Sequence, residues 1–462
     1  MGTGSAVGCG RARVIRPEWG DPKDSRAPYR YRMTITTVAV VGGGISGLTA
    51  AHALSAAGHR VRLFESEPTL GGHATTLEVG GMPIDVGFIV YNEVTYPRFV
   101  GLLAELGVET QASDMSMGVA CAACRLEWST RGLKGVFAQP TQLARPSHYA
   151  MLGELFRFYR DARATLDGPP TGMSLDEYLA DRGFGSAFAN HFLVPLTAAV
   201  WSTAPDAVGT FPIDYLLRFL DHHGLIGYGR NLQWRTISGG SGRYVEAIAK
   251  RLGPDAIRAG TPVRGVVRDP AGVTVETDAG VERFDAVVMA THADVTRRLL
   301  RDADRDERYA IGGFEYSDNR VVLHTDAGIL PKRRNAWASW NIDMGTCRAP
   351  GDALTMTYHM NRLQSLPGDV EYNVSVNAPA DRIDPATILD ERTWAHPLYT
   401  FQTLEAQKLI GQIQGRNRTW YAGAHLGFGF HEDGCRSGYD AADAIISWSE
   451  SLEPLQPVEV AA

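Results

Sequence analysis

The sequence predicts an α/β protein in which a Rossmann-like parallel sheet, assembled from separated pieces, carries a second unit of mixed sheet and helices. Three observations support this. A β-branched run, Ile35 to Val41, leads into Gly42-Gly43-Gly44-Ile45-Ser46-Gly47 and an alanine-rich stretch ending at Gly58, which reads as strand, glycine turn and helix. Residues 145 to 235 place apolar side chains at helical spacing, as in "HYAMLGELFRFYRDA", "SLDEYLADRG", "SAFANHFLVPLTAAVWS" and "PIDYLLRFLDHHGL". Residues 318 to 378 alternate instead, as in "RVVLHT", "LTMTYHM" and "YNVSVN", which predicts an antiparallel sheet.

Composition sets the outer limits. The chain has 462 residues, enough for two or three domains, and 44 % of them are hydrophobic, enough for ordinary cores. A net charge of −7 gives no general attraction to nucleic acid or anionic lipid. The scattered, odd set of five cysteines suits a reducing cytoplasm rather than a disulfide scaffold. No run approaches the ~18 apolar residues of a membrane span. Membrane contact is expected to be at most peripheral, at the inner face. Residues 1–33 are charged and proline-broken, and are expected to be disordered or the product of an upstream start ahead of Met33.

The glycine turn has a physical reading. Gly42 permits the tight turn, Gly44 lets a pyrophosphate approach the backbone, and Gly47 lets helix and strand pack closely. Ile45 and Ser46 complete the loop, and the helix N-terminus then offers unpaired N–H groups to the phosphates. The next strand, "RVRLFE", ends at Glu65, where a carboxylate can accept ribose hydroxyls and would repel a 2′-phosphate. These residues point to a dinucleotide. Between NAD and FAD they leave the choice open.

The segment after Glu65 bears on that choice. "SEPTLGGH" brings a second glycine pair, Gly71-Gly72, just past the second strand, with His73 beside it. This resembles the extended fingerprint of FAD-binding proteins of the amine oxidase and phytoene desaturase superfamily. The resemblance implies a fold of the amine oxidase type, FAD as cofactor, and a flavin passing close to the pair. His73 is expected to order this loop rather than bond covalently to the cofactor. The resemblance also implies two further cofactor-binding pieces. One is the β-meander "TPVRGVVRDPAGVTVETDAGVERF" with the returning strand "VVMATHA", where the backbone at Val263 would meet the adenine. The other is "RTWYAGAHLGFGFHEDGCRSG", in which a strand runs into Gly423-Ala424 and Gly434 opens a helix aimed at the flavin or pyrophosphate. The expected cofactor domain is therefore discontinuous, 34–115, 235–300 and 405–450, with 116–234 and 301–404 forming the substrate domain.

Blocks such as "IDVGFIVYNEVTYPRFVGLLAELGVETQASDMSMGV", "NHFLVPLTAAVWS", "LQWRTISGGSGRYV" and "VVLHTDAGILPKRRNAWASWN" make a narrower resemblance, over residues 34 to 447, to bacterial NAD/FAD-binding flavoproteins. That family is similar to the N-terminal half of plant cyclopropane fatty acid synthases. The resemblance implies hydride transfer between FAD and an unsaturated or methyl-branched fatty acyl chain, as a desaturase or an NAD(P)H-fed reductase, and a fatty acyl methyltransferase as partner. Two alternatives stay open: a flavin amine oxidase, and a non-redox FAD-binding subunit that presents lipid to such a methyltransferase.

Candidate catalytic residues are chosen by position. His425, His431 and Glu432 lie in the third FAD piece, which by resemblance runs past the flavin ring, and Tyr358, with His359, Asn361, Trp340 and Asn341, lies on the alternating strands. Many amine oxidases place a lysine near the flavin. Here only Lys332 falls in the sheet region, amid basic company that reads as an exposed turn. No metal site is expected: His222 and His223 point to different helix faces, and Cys121-x-x-Cys124 lacks a second pair at zinc-site spacing, so it reads as two small residues in a strand or turn.

Overall fold

The computed structural model describes residues 36–201, 208–226, 232–347 and 354–451, so the expectation for residues 1–33 lies outside the described residues. The predicted strand forms as Thr37–Val41 and occupies the middle of a five-stranded parallel sheet. The order across that sheet is Ile257–Arg258, Arg60–Phe64, Thr37–Val41, Ala286–Met289 and Thr419–Tyr421. Val38 aligns with Val61 on one side and Ala286 on the other. Val38, Ala39 and Val40 have no exposed surface, because both faces of the sheet are covered, as a central parallel strand requires.

One face is covered by the glycine-loop helix Ile45–Ala56, which is itself overlaid by the long C-terminal helix His431–Ser451. Their contact uses small residues. A Cβ on Gly434 would lie 2.6 Å from Ile45 Cγ2, and one on Gly438 would lie 2.3 Å from the Ser46 carbonyl oxygen. The opposite face carries the predicted three-stranded meander, Val263–Asp269, Gly272–Thr277 and Gly280–Phe284, together with helices Arg305–Ile311 and Phe401–Ile413.

A seven-stranded sheet lies over the cofactor side. Its order is Ile388–Leu398, Glu315–His324, Asn373–Val376, Thr355–His359, Trp340–Met344, Met117–Cys121 and Leu126–Ser129. The alternating segments supply four consecutive antiparallel strands, and Trp340–Met344 pairs in parallel with Met117–Cys121. The helical insert packs beneath this sheet, with Phe188, Leu193, Leu216 and Leu217 in a shared core. Its second helix starts on a capping box: the Ser174 hydroxyl accepts from the Glu177 amide, and the Glu177 carboxylate accepts from the Ser174 amide. Among the described residues no helix is long and apolar enough to cross a membrane.

Candidate functional site

A cavity of about 540 Å³ opens between the parallel sheet and the seven-stranded sheet. Its floor is the glycine turn. Gly42 needs its φ of +108° and its missing side chain, since a Cβ there would lie 2.6 Å from the Ala290 carbonyl oxygen. A Cβ on Gly47 would lie 1.8 Å from the Gly42 carbonyl oxygen, so helix and strand meet as expected. Gly44 differs: a Cβ there would meet nothing within 4 Å. The open volume beside it lies at the N-terminus of the following helix, where unpaired backbone N–H groups favour an anion.

Glu65 is already held in place. Its carboxylate accepts from the Gly43 amide at 2.7 Å and from the Glu67 amide at 2.9 Å, and it faces the cavity. The second glycine pair joins the first directly, for the Gly71 amide donates to the Gly43 carbonyl at 2.9 Å and Gly44 and Gly71 form a parallel bridge. Two glycine turns separated by a helix and a strand thus make one continuous cradle. Ile45, Ser46, Gly72, Val263, Gly423 and Ala424 also line the cavity.

The roof carries rings. His73, His292 and His396 are grouped around Trp394 and Tyr316, with ring centroids 6.0 Å apart for His73–His292, 5.4 Å for His73–His396 and 4.6 Å for His292–Tyr316. Burial is the main cause that lowers all three imidazole pKa values, His396 to about 4. His396 Nδ1 accepts from Asn319 Nδ2 at 2.9 Å, which leaves the proton on Nε2. His73 Nε2 is buried and has no hydrogen-bond partner among the described residues, an orphaned polar atom at the edge of the cradle. A flavin carrying ring nitrogens and carbonyl oxygens is a group that would satisfy it.

Of the four expected catalytic residues, three reach the cavity. His425 and His431 line it, and burial drives both imidazoles down to about 3, so both are neutral. His431 stacks on Phe88 with centroids 3.7 Å apart and shares a hydrogen bond with the Tyr244 hydroxyl at 2.9 Å. Tyr358 lines the roof because strand alternation turns it inward and turns its neighbours away. His359 instead bonds Glu371 at 2.7 Å, Asn341 bonds the Ala338 carbonyl and Asn361 that of Val370. Trp340 packs edge-on against Tyr358.

Two expectations are corrected. Glu432 does not face the cavity: its carboxylate accepts from the Arg98 amide at 3.0 Å and the Phe99 amide at 2.9 Å, capping the helix Pro97–Leu106. Gly434 lies inside the first turn of its helix and serves the contact with Ile45, not the cofactor. Sequence reasoning also missed His292 and His396. The signal for His396 was present, since Trp394 and His396 fall two apart on one strand and therefore share a face. Lys134, Lys250, Lys332 and Lys408 are all exposed, and among the described residues no lysine lines the cavity.

The Cys121/Cys124 pair is also less isolated than its spacing suggests. Cys121 Sγ lies 3.3 Å from Cys347 Sγ, and Cys124 Sγ lies 3.5 Å from His191 Nε2. None of these four residues lines the cavity.

Known proteins share this architecture. AofH of Mycobacterium tuberculosis, provisionally named a flavin-containing monoamine oxidase, is 27 % identical over 267 residues, which are 55 % of this chain and 56 % of the relative. (S)-6-Hydroxynicotine oxidase of Paenarthrobacter nicotinovorans is 26 % identical over 56 % of this chain and 61 % of its own. The chain thus spans little more than half the length of the curated relatives it matches. Cyclohexylamine oxidase from Brevibacterium oxydans superposes with a TM-score of 0.66 at 17 % identity, covering 90 % of this chain and 100 % of that one. A fatty acid isomerase from P. acnes superposes at 0.61 and 17 % identity, covering 88 % and 98 %. At such identities these two likenesses show the fold alone. The flavin containing amine oxidoreductase family matches residues 45–326, which begin at the helix after the first glycine turn and include the Gly71-Gly72 pair, the helical insert, the meander and the roof strands Met117–Cys121, Leu126–Ser129 and Glu315–His324. The chain belongs to that family.

Proposed function

We propose that this protein is an FAD-dependent oxidoreductase that moves hydride between the flavin and an uncharged, apolar substrate, an unsaturated or methyl-branched fatty acyl chain. One observation carries the reading. Glu65, at the ribose end, is the only Asp, Glu, Lys or Arg among the described residues that line the cavity. An ammonium substrate brought there would find no carboxylate at the roof, whereas an acyl chain would meet Val200, Trp201, Phe430 and Trp394.

In this reading Glu65 accepts the ribose hydroxyls, the backbone from Gly44 to Ser46 holds the pyrophosphate, Val263 meets the adenine, and Gly71-Gly72 and Gly423-Ala424 flank the ring system. When bound, FAD supplies the hydride acceptor or donor. The roof supplies shape, dryness and neutral donors. His73, His292, His396 and His425 stay uncharged at neutral pH, so they position and hydrogen-bond without offering a cation or a strong base. Hydride transfer to or from a carbon–carbon bond also moves one proton, and the neutral imidazoles, each a donor on one nitrogen and an acceptor on the other, can relay it to or from water. The chain divides accordingly into a cofactor half, 34–115, 235–300 and 405–450, and a substrate half, 116–234 and 301–404, with a fatty acyl methyltransferase as the partner whose products it takes up.

A second reading, an amine oxidase, is favoured by the aromatic rings of Tyr316, Tyr358 and Trp394, which could cage an amine, and by the names of the curated relatives. A third, a non-redox subunit presenting lipid to a methyltransferase, requires a bound flavin that neither lipid nor pyridine nucleotide reduces. The test is lipid profiling of cells with and without the gene, in a host that makes methylated or cyclopropanated acyl chains. The proposal expects the ratio of saturated to unsaturated branched chains to shift, and an unchanged profile overturns it.

A further inference from the structure

At the far edge of the roof sheet, three chain segments converge. The strand Met117–Cys121 ends on Cys121 and the turn after it supplies Cys124, a single π-helical turn, Ala189–Leu193, supplies His191, and the segment after Trp340–Met344 supplies Cys347. One ligand atom from each lies within 4.8 Å of every other. We infer that Cys121, Cys124, His191 and Cys347 form a closed Cys₃His site for a structural zinc ion.

The geometry is that of a tetrahedron slightly relaxed. Zinc–sulfur bonds of ~2.3 Å at tetrahedral angles put ligand atoms ~3.8 Å apart. The distances 3.3 Å for Cys121–Cys347, 3.5 Å for Cys124–His191 and a largest of 4.8 Å bracket that value. The Cys121–Cys347 separation is too long for a disulfide, whose sulfurs lie ~2.05 Å apart. Three thiolates and one imidazole are a soft, nitrogen-and-sulfur set that selects zinc over calcium or magnesium, and four protein ligands leave no position for substrate.

The surroundings are arranged for it. His191 Nδ1 lies 3.3 Å from the Ala187 carbonyl; donating there, it leaves the Nε2 lone pair facing the sulfurs. Arg125, directly after the second cysteine, adopts the left-handed conformation with φ +57°, and the turn directs the Leu126 amide to the Cys124 sulfur and the Cys124 amide to that of Cys121. N–H donors of this kind stabilise thiolates. Arg145 Nη2 donates to the Cys124 carbonyl at 2.8 Å, placing a positive charge beside a site of net negative charge. A π-helical turn is a costly local feature that often marks a functional position, and here it lies at His191.

The consequence reaches the cavity. The helix Val194–Trp201 continues directly from the π turn and brings Val200 and Trp201 to the cavity wall. The metal would therefore anchor the helical insert to the roof sheet and hold that wall in place.

The test is metal analysis of the full-length protein, purified without chelator from zinc-replete cells. About one zinc per chain is expected, as four-ligand structural sites retain their metal. It should be released in step with mercurial titration of the thiols. Cys124→Ser and His191→Ala should lose the zinc, while His191→Cys and the control Cys435→Ser should keep it. Protein without stoichiometric zinc, or a Cys121–Cys347 disulfide found by mass spectrometry under non-reducing conditions, overturns the inference. The wild-type measurement decides the matter even if a variant fails to fold.

Discussion

The amide of Gly43 donates to Glu65 Oε2 at 2.7 Å, so the acidic end of the second strand is locked onto the glycine turn before any cofactor arrives. Glu65→Gln keeps an acceptor for Gly43 but removes the charge that would bind two ribose hydroxyls. FAD affinity is expected to fall by about 10- to 100-fold, the equivalent of ~1.5–3 kcal/mol for hydrogen bonds to a charged group. Titration of apoprotein with FAD, with far-UV circular dichroism as a folding control, measures it. Unaltered affinity would remove Glu65 from the cofactor site.

Two glycines in the same turn region should separate binding from folding. Gly44 has a φ of −73° and open space where a Cβ would go, so Gly44→Ala should fold within ~0.5 kcal/mol of the parent yet lose at least about tenfold in FAD affinity. Gly47→Ala forces a Cβ to 1.8 Å from the Gly42 carbonyl oxygen and should cost ~1–3 kcal/mol of stability or more. Urea melts beside FAD titrations of both variants give the comparison. The reverse pattern would mean that the pyrophosphate does not lie over Gly44.

Glu432 should behave as a cap. Glu432→Ala removes the acceptor for the Arg98 and Phe99 amides and should cost ~2 kcal/mol of stability. Flavin reduction per bound FAD should be unchanged. A large fall in that rate with stability intact would return Glu432 to catalysis.

Acid should weaken the fold. His425 and His431 have pKa values of about 3 and His396 of about 4 in the folded chain, against about 6.5 unfolded. Their contribution is fully present above about 6.5 and is lost as pH falls, by up to ~1.4 kcal/mol per pH unit for each. Asp85 and Asp433, both raised to about 6 by burial, act the other way, since the folded chain binds their protons more readily between about pH 6 and 4. Three histidines outweigh two carboxylates. Unfolding free energy measured in urea should therefore decline from pH 7 to pH 5, and His431→Gln should flatten the decline. Stability that rises on acidification would contradict the neutral-histidine roof.

Local features were legible in the sequence and long-range ones were not. The glycine turn, the strand ending at Glu65 and the alternating roof strands each declare themselves within a dozen residues, because turn geometry and side-chain periodicity are local. Glu432 was misread because its partner Phe99 lies 333 positions away, and a buried carboxylate beside two histidines looks alike whether it caps a helix or serves a substrate. Gly434 was misread for a related reason: a helix-packing glycine and a phosphate-binding glycine leave the same letter. The four-residue cysteine–histidine cluster was invisible because Cys121 and Cys347 stand 226 positions apart and meet only through the parallel pairing of two strands at the sheet edge.

The central claim concerns what the flavin reacts with under a roof that offers no charge. The most direct measurement is the flavin absorbance of the holoprotein under anaerobic conditions, recorded in both oxidation states against phospholipids with unsaturated or methyl-branched chains and against monoamines and polyamines. The account predicts that the lipids bleach the oxidised flavin or reoxidise the reduced one, and that amines do neither. Rapid bleaching by amines, with lipids inert in both directions, would contradict it.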